Sequence, residues 1–141
     1  MKKVLTCTYA LLLLIGLAAC EKKSAAPPAA AAVSVSQVTL GKDIGADKRV
    51  TAATDSFAKN DTIYASVETQ GSGSASLKAK WTFVKGDKTA LVNESTQSIV
   101  AQGPAVSEFH VSKPDGWPVG NYQIEIFLGD QPAGSKKFTV K

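Results

Sequence analysis

Few side chains of this 141-residue chain have the types and spacing that nucleophilic or acid–base catalysis needs. The only histidine, His110, stands in Phe109-His110-Val111, and Glu108 is the only acid within two residues of it. No serine lies in a Gly-x-Ser-x-Gly motif, and this one histidine would have to serve any catalytic triad. Because metal sites draw on several histidines, cysteines or carboxylates, we expect His110 to be an outward-facing strand residue.

Two further patterns lack the residues that cofactor chemistry needs. Gly71-Ser72-Gly73 has the glycines of a phosphate-binding loop but neither its Lys-Ser/Thr ending nor a following helix, so it predicts a flexible hairpin. Asp55, Asp61 and Asp87 lie near turns but do not form the spaced oxygen array of a calcium loop. The sequence therefore predicts no catalytic residue, no metal site and no cofactor, and we expect the protein not to be an enzyme.

The amino terminus combines an apolar run with two cysteines. The dipeptide Lys2-Lys3 precedes an almost wholly apolar segment, Val4 to Ala19, which contains Cys7 and ends directly before Cys20. The segment is too short to cross a bilayer comfortably, which takes about 20 apolar residues. A positive start followed by a short apolar stretch is typical of a secretory signal peptide. We expect residues 1–19 to be removed, and a short amino-terminal anchor helix is the alternative.

The residues that end this run, Leu17-Ala18-Ala19-Cys20, resemble the lipobox of bacterial lipoproteins. The resemblance implies that Cys20 becomes the first mature residue, with a thioether to diacylglycerol and an acyl chain, such as palmitate, on its amine. A buried methylene contributes about 0.8 kcal/mol, so two or three chains would form an almost permanent membrane anchor. Many enteric lipoproteins carry an inner-membrane retention aspartate where this chain has Glu21. We therefore expect the periplasmic side of the outer membrane, with the inner membrane as the alternative.

Residues 20–33 predict a linker, and residues 34–141 predict one domain. Lys22 to Ala32 holds no aromatic or large aliphatic side chain, and Pro27-Pro28 interrupts its alanines, so it cannot bury enough surface to fold. Its 11 residues would span roughly 20 Å as a flexible tether. From Ser34 onward the chain has 12 basic and 11 acidic residues, because four of the 16 basic and one of the 12 acidic residues precede it. This near-neutral balance argues against nucleic-acid binding.

Alternation of apolar and polar residues with period two predicts half-buried antiparallel strands. It is clearest in residues 61–68, 77–83 and 122–128, whose inward positions would be Ile63, Ala65, Val67, Leu77, Ala79, Trp81, Phe83, Tyr122, Ile124, Ile126 and Leu128. Weaker candidates are residues 36–40, 48–53, 96–101, 107–111 and 136–140. Turn signals rich in glycine, proline and aspartate separate these segments, and none has a convincing helical period. We predict an all-β fold, an antiparallel β-sandwich of about seven or eight strands.

Two features of these strands resemble the immunoglobulin-like family. Trp81 lies mid-strand, where that fold keeps a core tryptophan, and Gly120-Asn121-Tyr122-Gln123-Ile124 resembles a tyrosine corner. The resemblance implies that the Tyr122 hydroxyl bonds back to nearby backbone, and that Ile124 stands where disulfide-bearing members have a cysteine. The stretch Gly116 to Tyr122 also resembles small Ig-like modules of bacterial envelope lipoproteins. No activity follows, because many unrelated functions use this fold.

Two aromatic residues are candidates for contact with a partner. Trp117 lies in a loop between a glycine and a proline, and tryptophan is enriched at binding hot spots. We expect Trp117 to be a lid that packs over one end of the sandwich, and an exposed anchor for a partner is the alternative. Phe127 has the opposite strand parity to Ile124 and Ile126, so we expect it to face away from the core.

These patterns together favour a non-enzymatic binding or interaction module, held to the membrane by lipid on Cys20. We expect it to meet an envelope protein through sheet edges and end loops. The alternative is an inhibitor of an envelope hydrolase, which would present a rigid loop at residues 103–107 or 113–119, or a small-ligand carrier.

Overall fold

The structure, a computed structural model, describes residues 31–141. Within that range the chain forms eight strands and no helix: β1 (Ser34–Gly41), β2 (Ser56–Phe57), β3 (Ile63–Gln70), β4 (Ser72–Lys85), β5 (Lys88–Gln102), β6 (Ala105–Val111), β7 (Gly120–Leu128) and β8 (Gln131–Val140). In the described range, no helix has the length and apolar character needed to cross a membrane. The predictions for the signal peptide, for the lipobox at Cys20 and for most of the linker lie outside the described residues.

The eight strands form two sheets. One sheet has the order β1-β3-β6, and the other has the order β2-β8-β7-β4-β5. All neighbours are antiparallel except β2 and β8, which pair in parallel over two residues. The predicted all-β fold with antiparallel sheets is therefore confirmed, with eight strands.

The core lies between the inner faces of the two sheets, and the alternating segments supply most of it. The side chains with less than 2% exposure at these positions are Ile63, Ala65, Val67, Leu77, Ala79, Trp81, Ile124 and Ile126. Phe83 and Leu128, also expected to point inward, are half-buried and pack against this cluster. Each large side chain contributes about 1.5–3 kcal/mol by leaving water, so the alternating segments supply much of the attraction between the two sheets.

The tyrosine corner is present as predicted. The Tyr122 hydroxyl donates a hydrogen bond of 2.7 Å to the Pro118 carbonyl, four residues upstream. Trp81 pairs with Ile124 across β4 and β7, and both are buried. The inward position two residues after Tyr122 is thus filled by a buried aliphatic side chain, as the resemblance implies.

The strand expected at residues 48–53 does not form. This stretch makes only isolated bridges, between Ile44 and Val50 and between Gly41 and Ala53. It belongs to a loop that closes on itself, because Gly45 N–H donates to the Arg49 carbonyl at 2.8 Å. The alternation of residues 48–53 predicted a strand wrongly because this local closure satisfies backbone groups that a sheet neighbour would otherwise satisfy.

The glycine-rich stretch at residues 71–73 is also different from the predicted hairpin. Strands β3 and β4 belong to different sheets, so the stretch carries the chain from one sheet to the other. Gly71 has a φ of +94°, and a side chain there would strike the Ala31 and Ala32 carbonyls at 2.6 and 2.3 Å. Glycine is needed here because the incoming chain passes directly against the turn.

The sandwich has two distinct ends. At the linker end, the Ala31 carbonyl accepts a 2.9 Å hydrogen bond from Ser72 N–H, and Gly103 N–H donates to the Gly71 carbonyl. At the distal end lie the β4–β5 turn, the carboxyl end of β6 and the loop before β7. The chain that leads back toward Cys20 thus leaves from the end opposite the tyrosine corner.

Candidate functional site

A cleft of about 370 Å³ opens at the distal end, between the edge strands of the two sheets. Its walls are formed by strand β5, the end of β6, the loop before β7 and the inner face of the larger sheet. We call it the distal cleft, and its lining residues are Phe83, Leu91, Val92, Asn93, Val111, Ser112, Lys113, Trp117, Pro118 and Tyr122.

A β-bulge shapes the wall that β5 contributes. Trp81 on β4 pairs with Asn93, and the next residue, Thr82, pairs with Leu91, so Val92 is the extra residue in β5. In a regular strand, consecutive side chains point to opposite faces. The bulge breaks this alternation, which is why Leu91, Val92 and Asn93 all line the same cleft.

Aromatic rings form the floor of the distal cleft. Trp117 meets Tyr122 edge to face, with ring centroids 5.6 Å apart, and Phe83 lies 4.9 Å from Tyr122. On its other side Tyr122 stacks on Phe138 at 5.3 Å. The cleft floor is therefore continuous with the aromatic part of the core and is held rigidly by it.

Trp117 is not the exposed anchor that we considered from the sequence. Its side chain is 2% exposed, and its indole N–H donates to the Asp61 carbonyl at 2.9 Å. Its backbone N–H donates to the Lys59 carbonyl at 2.7 Å. The expected lid over one end of the sandwich describes its position, because the ring spans from the loop before β3 to the tyrosine corner. A partner could reach only the part of Trp117 that lines the cleft.

An ion pair fixes the loop whose Asp61 carbonyl accepts the hydrogen bond from the Trp117 indole. Lys42 Nζ lies 2.6 Å from Asp61 Oδ2, and Ala58 N–H donates to the same oxygen at 2.7 Å. The Lys42 hydrogen bond, followed by that from Ala58, holds the pKa of the Asp61 carboxyl below its usual range. The carboxylate thus orders the turn whose carbonyl anchors Trp117.

Phe127, the second candidate for partner contact, lies on the outer face of the larger sheet. It pairs with Lys78 across β7 and β4, and the Lys78 ammonium sits 5.2 Å from the centre of its ring. The ring is half-buried and far from the distal cleft in strand register, so the structure does not bring Phe127 and Trp117 together. Contact between Phe127 and a partner stays a prediction.

His110 faces outward from β6. Its Nδ1 lies 2.6 Å from Glu108 Oε1, and its ring is 5.6 Å from that of Tyr64. Within residues 31–141, no group of three or more histidines, cysteines or carboxylates is placed to hold a metal ion. The arrangement is that of a surface pair on a strand.

The polar groups of the distal cleft are found on its rim. Asn93 stands on the β5 side, and Ser112 and Lys113 stand on the β6 side, all with exposed side chains. Each of them can donate a hydrogen bond, and Lys113 is the only charged residue that lines the cleft. The Trp117 and Tyr122 donors are already engaged with carbonyls. The cleft thus has an apolar aromatic floor and a donor-rich, cationic rim.

Lys113 was named from the sequence only as the first residue of a candidate loop, and Leu91, Val92 and Asn93 were not identified. Strand β5 has two runs of three apolar residues, at 90–92 and 99–101, and only the first coincides with the bulge. Such a break in alternation is consistent with a bulge. No local pattern places Lys113 at a cleft, because residues 91–93, which line the cleft with it, lie on a strand that is distant in sequence.

Burial of Tyr122 makes a first prediction. Burial raises the pKa of the Tyr122 hydroxyl above its ordinary value of 10.0. The pKa of Tyr122 is therefore higher in the folded protein than in the unfolded one. The contribution of the neutral hydroxyl to the free energy of unfolding is complete below about pH 10 and is lost as the pH rises through the folded pKa. We expect Tyr122→Phe to lower the free energy of unfolding by about 1 kcal/mol at neutral pH, through loss of the bond to Pro118.

Urea denaturation followed by circular dichroism over an alkaline pH series measures the predicted loss of stability. Wild-type protein should lose stability above about pH 10 more steeply than Tyr122→Phe. Tyr64 is present in both proteins, so the difference between their two pH profiles reports on Tyr122. Parallel pH profiles would contradict the assignment to Tyr122.

Comparison with known proteins supports the fold class. No family model matches the chain, and no curated protein matches it. Among solved structures, an immunoglobulin-like protein from Pseudomonas aeruginosa has a TM-score of 0.57 at 17% identity, covering 80% of this chain and 99% of that one. A β-glucosidase from Erythrobacter marinus gives 0.56 at 9% identity, but this chain covers only 15% of its length. A Niemann-Pick type C2 protein from the Japanese carpenter ant gives 0.50 at 11% identity, covering 79% and 95% of the two chains.

At these identities the similarity shows the fold and nothing further. Residues 34–140 form an immunoglobulin-like β-sandwich. A fold of this kind, with a cleft at one end, is compatible with a non-enzymatic binding module.

Proposed function

We propose that this protein is a lipid-anchored, non-enzymatic binding module of the bacterial envelope, which holds its partner at the distal cleft. The observation that carries the proposal is the position of the cleft. It opens at the end of the sandwich opposite to the one from which the chain leads back toward Cys20.

The length of the sandwich sets the distance between anchor side and cleft. Strand β4 begins at Ser72, beside Ala31, and passes the cleft near Thr82, which pairs with Leu91. Ten strand residues at about 3.3 Å each give roughly 33 Å. With Cys20 in a membrane, the domain would present the cleft away from the lipid surface.

The surface of the cleft favours contact with another molecule. Leu91 is 61% exposed and Val92 is 36% exposed, and both line the cleft, while Val119 in the adjacent loop is 57% exposed. A contiguous exposed apolar patch with a polar rim is typical of an interaction site. The exposed aliphatic side chains of Leu91 and Val92 in the cleft wall therefore support binding as the function.

The volume of the cleft favours a small-ligand carrier as the second candidate. The cleft volume of about 370 Å³ falls in the range of roughly 300–1,000 Å³ that small-molecule sites occupy.

The inhibitor alternative rests on the loop at residues 113–119, which is held by the Trp117 and Tyr122 hydrogen bonds. Both alternatives use the same end of the domain.

The anchor is tested by mass spectrometry of protein purified from bacterial membranes. We expect a mature chain that begins at residue 20 and carries diacylglycerol and one further acyl chain on Cys20. Cys20→Ser removes the thiol that accepts the lipid, so we expect this variant to carry no acyl chain. A chain that starts elsewhere, or a free thiol at residue 20, would contradict the anchor.

The cleft is tested by placing a photo-crosslinking amino acid at Leu91 in living cells. The control position is Val100, which lies on the same strand, is 74% exposed, and is roughly 30 Å from Leu91 at about 3.3 Å per residue. We expect one defined adduct from position 91 and much less from position 100. Equal adducts at the two positions would count against the cleft as the binding site.

A further inference from the structure

The distal cleft adjoins an open sheet edge. Strand β5 is the last strand of its sheet, and it is 15 residues long, whereas strands average about 5–6 residues. Every second residue of an edge strand turns its N–H and C=O away from its one neighbour. Strand β5 therefore offers a long row of backbone groups that pair with no other strand of residues 31–141.

This edge has few of the features that block pairing. Natural edge strands are protected by proline, by dense charge or by a covering segment. Strand β5 contains no proline and only two charged residues, Lys88 and Glu94, and twelve of its fifteen positions are exposed. The bulge at Val92 interrupts the edge only beside the cleft, so residues 93–102 form a regular free edge.

A side-chain bridge marks where the cleft ends. Gln97 Nε2 donates to the Glu108 carbonyl at 2.7 Å, from β5 to β6. This bond closes the gap between the two sheets at mid-strand. Toward the distal end the gap widens into the cleft, so a chain lying along residues 93–97 would end beside Leu91, Val92 and Lys113.

We propose that the distal cleft and the edge of β5 together bind the carboxyl-terminal segment of a protein as an added antiparallel strand. The terminal side chain, aliphatic or aromatic, enters the cleft between Val92 and Trp117. The terminal carboxylate meets Lys113, and main-chain hydrogen bonds form along residues 93–97. This inference deepens the proposed function and rests on it.

Charge complementarity favours a carboxyl-terminal segment as the ligand of the cleft. Lys113 is the only charged residue that lines the cleft, and Asn93 and Ser112 beside it are also donors. A carboxylate is the acceptor that such a rim stabilises most, through charge-assisted hydrogen bonds. Strand addition supplies affinity through the backbone, and the cleft supplies selectivity for the side chain.

The test uses residues 20–141 with Cys20→Ser, which retain the whole described fold. The probe is an acetylated pentapeptide that alternates threonine and valine and ends in phenylalanine with a free carboxylate. Its carboxamide tests the charge, and an N-methylated version tests the main-chain bonds. Binding is measured by calorimetry, and amide exchange by NMR locates it on the strand.

We expect the free acid to bind about tenfold more tightly than the amide, and this preference to disappear in Lys113→Gln. Leu91→Asp should weaken binding at least about tenfold, whereas Val100→Asp should leave it within about twofold. Amide exchange should slow along residues 93–97. Equal binding of the N-methylated peptide, or equal binding of acid and amide, would overturn the inference.

Other occupants give different results. If hydrocinnamate binds in a Leu91-dependent way and the pentapeptide binds no better, the strand-addition inference is wrong but the cleft still binds ligand. If the protein forms dimers that Leu91→Asp dissolves, a second copy occupies the edge and the inference is also wrong. If neither probe perturbs residues 91–93 and position 91 crosslinks no better than position 100, the proposed function fails as well.

Discussion

Trp117→Ala is expected to lower the free energy of unfolding by about 3–5 kcal/mol, the usual cost of removing a large buried aromatic side chain. The side chain is 2% exposed and packs edge to face on Tyr122. Its removal leaves a cavity at the distal end and deprives the Asp61 carbonyl of its donor. Urea denaturation followed by far-ultraviolet circular dichroism measures the loss without relying on tryptophan fluorescence.

The two tryptophans of the chain provide a matched control. Trp81 is 1% exposed, and within residues 31–141 its indole N–H has no hydrogen-bond partner. Trp81→Phe and Trp117→Phe remove the same atoms, but only Trp117→Phe leaves a carbonyl without its donor. We expect Trp117→Phe to cost about 1–3 kcal/mol more than Trp81→Phe. A smaller loss at Trp117 would show that its hydrogen bond contributes little.

Gly120→Ala is the second substitution with a large expected effect. Gly120 begins β7 with a φ of +152°, a conformation that side chains rarely adopt and that costs about 1–3 kcal/mol. An added Cβ would lie 2.6 Å from Phe83 Cε2, and overpacking of a core adds about 1–3 kcal/mol. We expect a total destabilisation of about 2–6 kcal/mol in urea denaturation, from these two costs.

A control glycine separates the two causes. Gly86 in the β4–β5 turn has a φ of +61°, and no atom lies within 4 Å of the position of its missing Cβ. Gly86→Ala therefore carries only the backbone cost, about 1–2 kcal/mol. If Gly120→Ala were no worse than Gly86→Ala, the contact with Phe83 would not be a constraint. Because Phe83 also lines the distal cleft, the proposed function implies that Gly120→Ala weakens ligand binding in any molecules that remain folded, whereas Gly86→Ala does not.

Local patterns predicted the core correctly where they were regular. The period-two segments around Ile63, Trp81 and Ile124 lie in β3, β4 and β7, and these residues are buried. The tyrosine corner formed because its residues are close in sequence, so a four-residue loop brings Tyr122 to Pro118. The same local reasoning gave a wrong strand at residues 48–53 and a wrong hairpin at residues 71–73, since alternation and glycine content do not specify which strand becomes a neighbour.

The candidate site was less accessible to sequence reasoning. A lid was one of two sequence-based interpretations of Trp117, but the bond that holds it could not be predicted, because its indole donor finds the Asp61 carbonyl 56 residues away. Phe127 was expected to face away from the core and does share the outer face with Lys78. Lys113 begins a loop that the sequence marks as a candidate, but no local pattern places it on the rim of a cleft with β5.

The amino-acid sequence by itself determined the all-β fold, the alternating core and the tyrosine corner, because these depend on side-chain parity and short loops. It also predicts the lipid anchor at Cys20, which stands on a local motif outside the described residues. Only the tertiary structure decided that β5 is an edge strand, that a bulge turns three consecutive side chains to one cleft, and that the cleft faces away from the linker. Those features depend on burial between segments far apart in the chain, which no local period encodes.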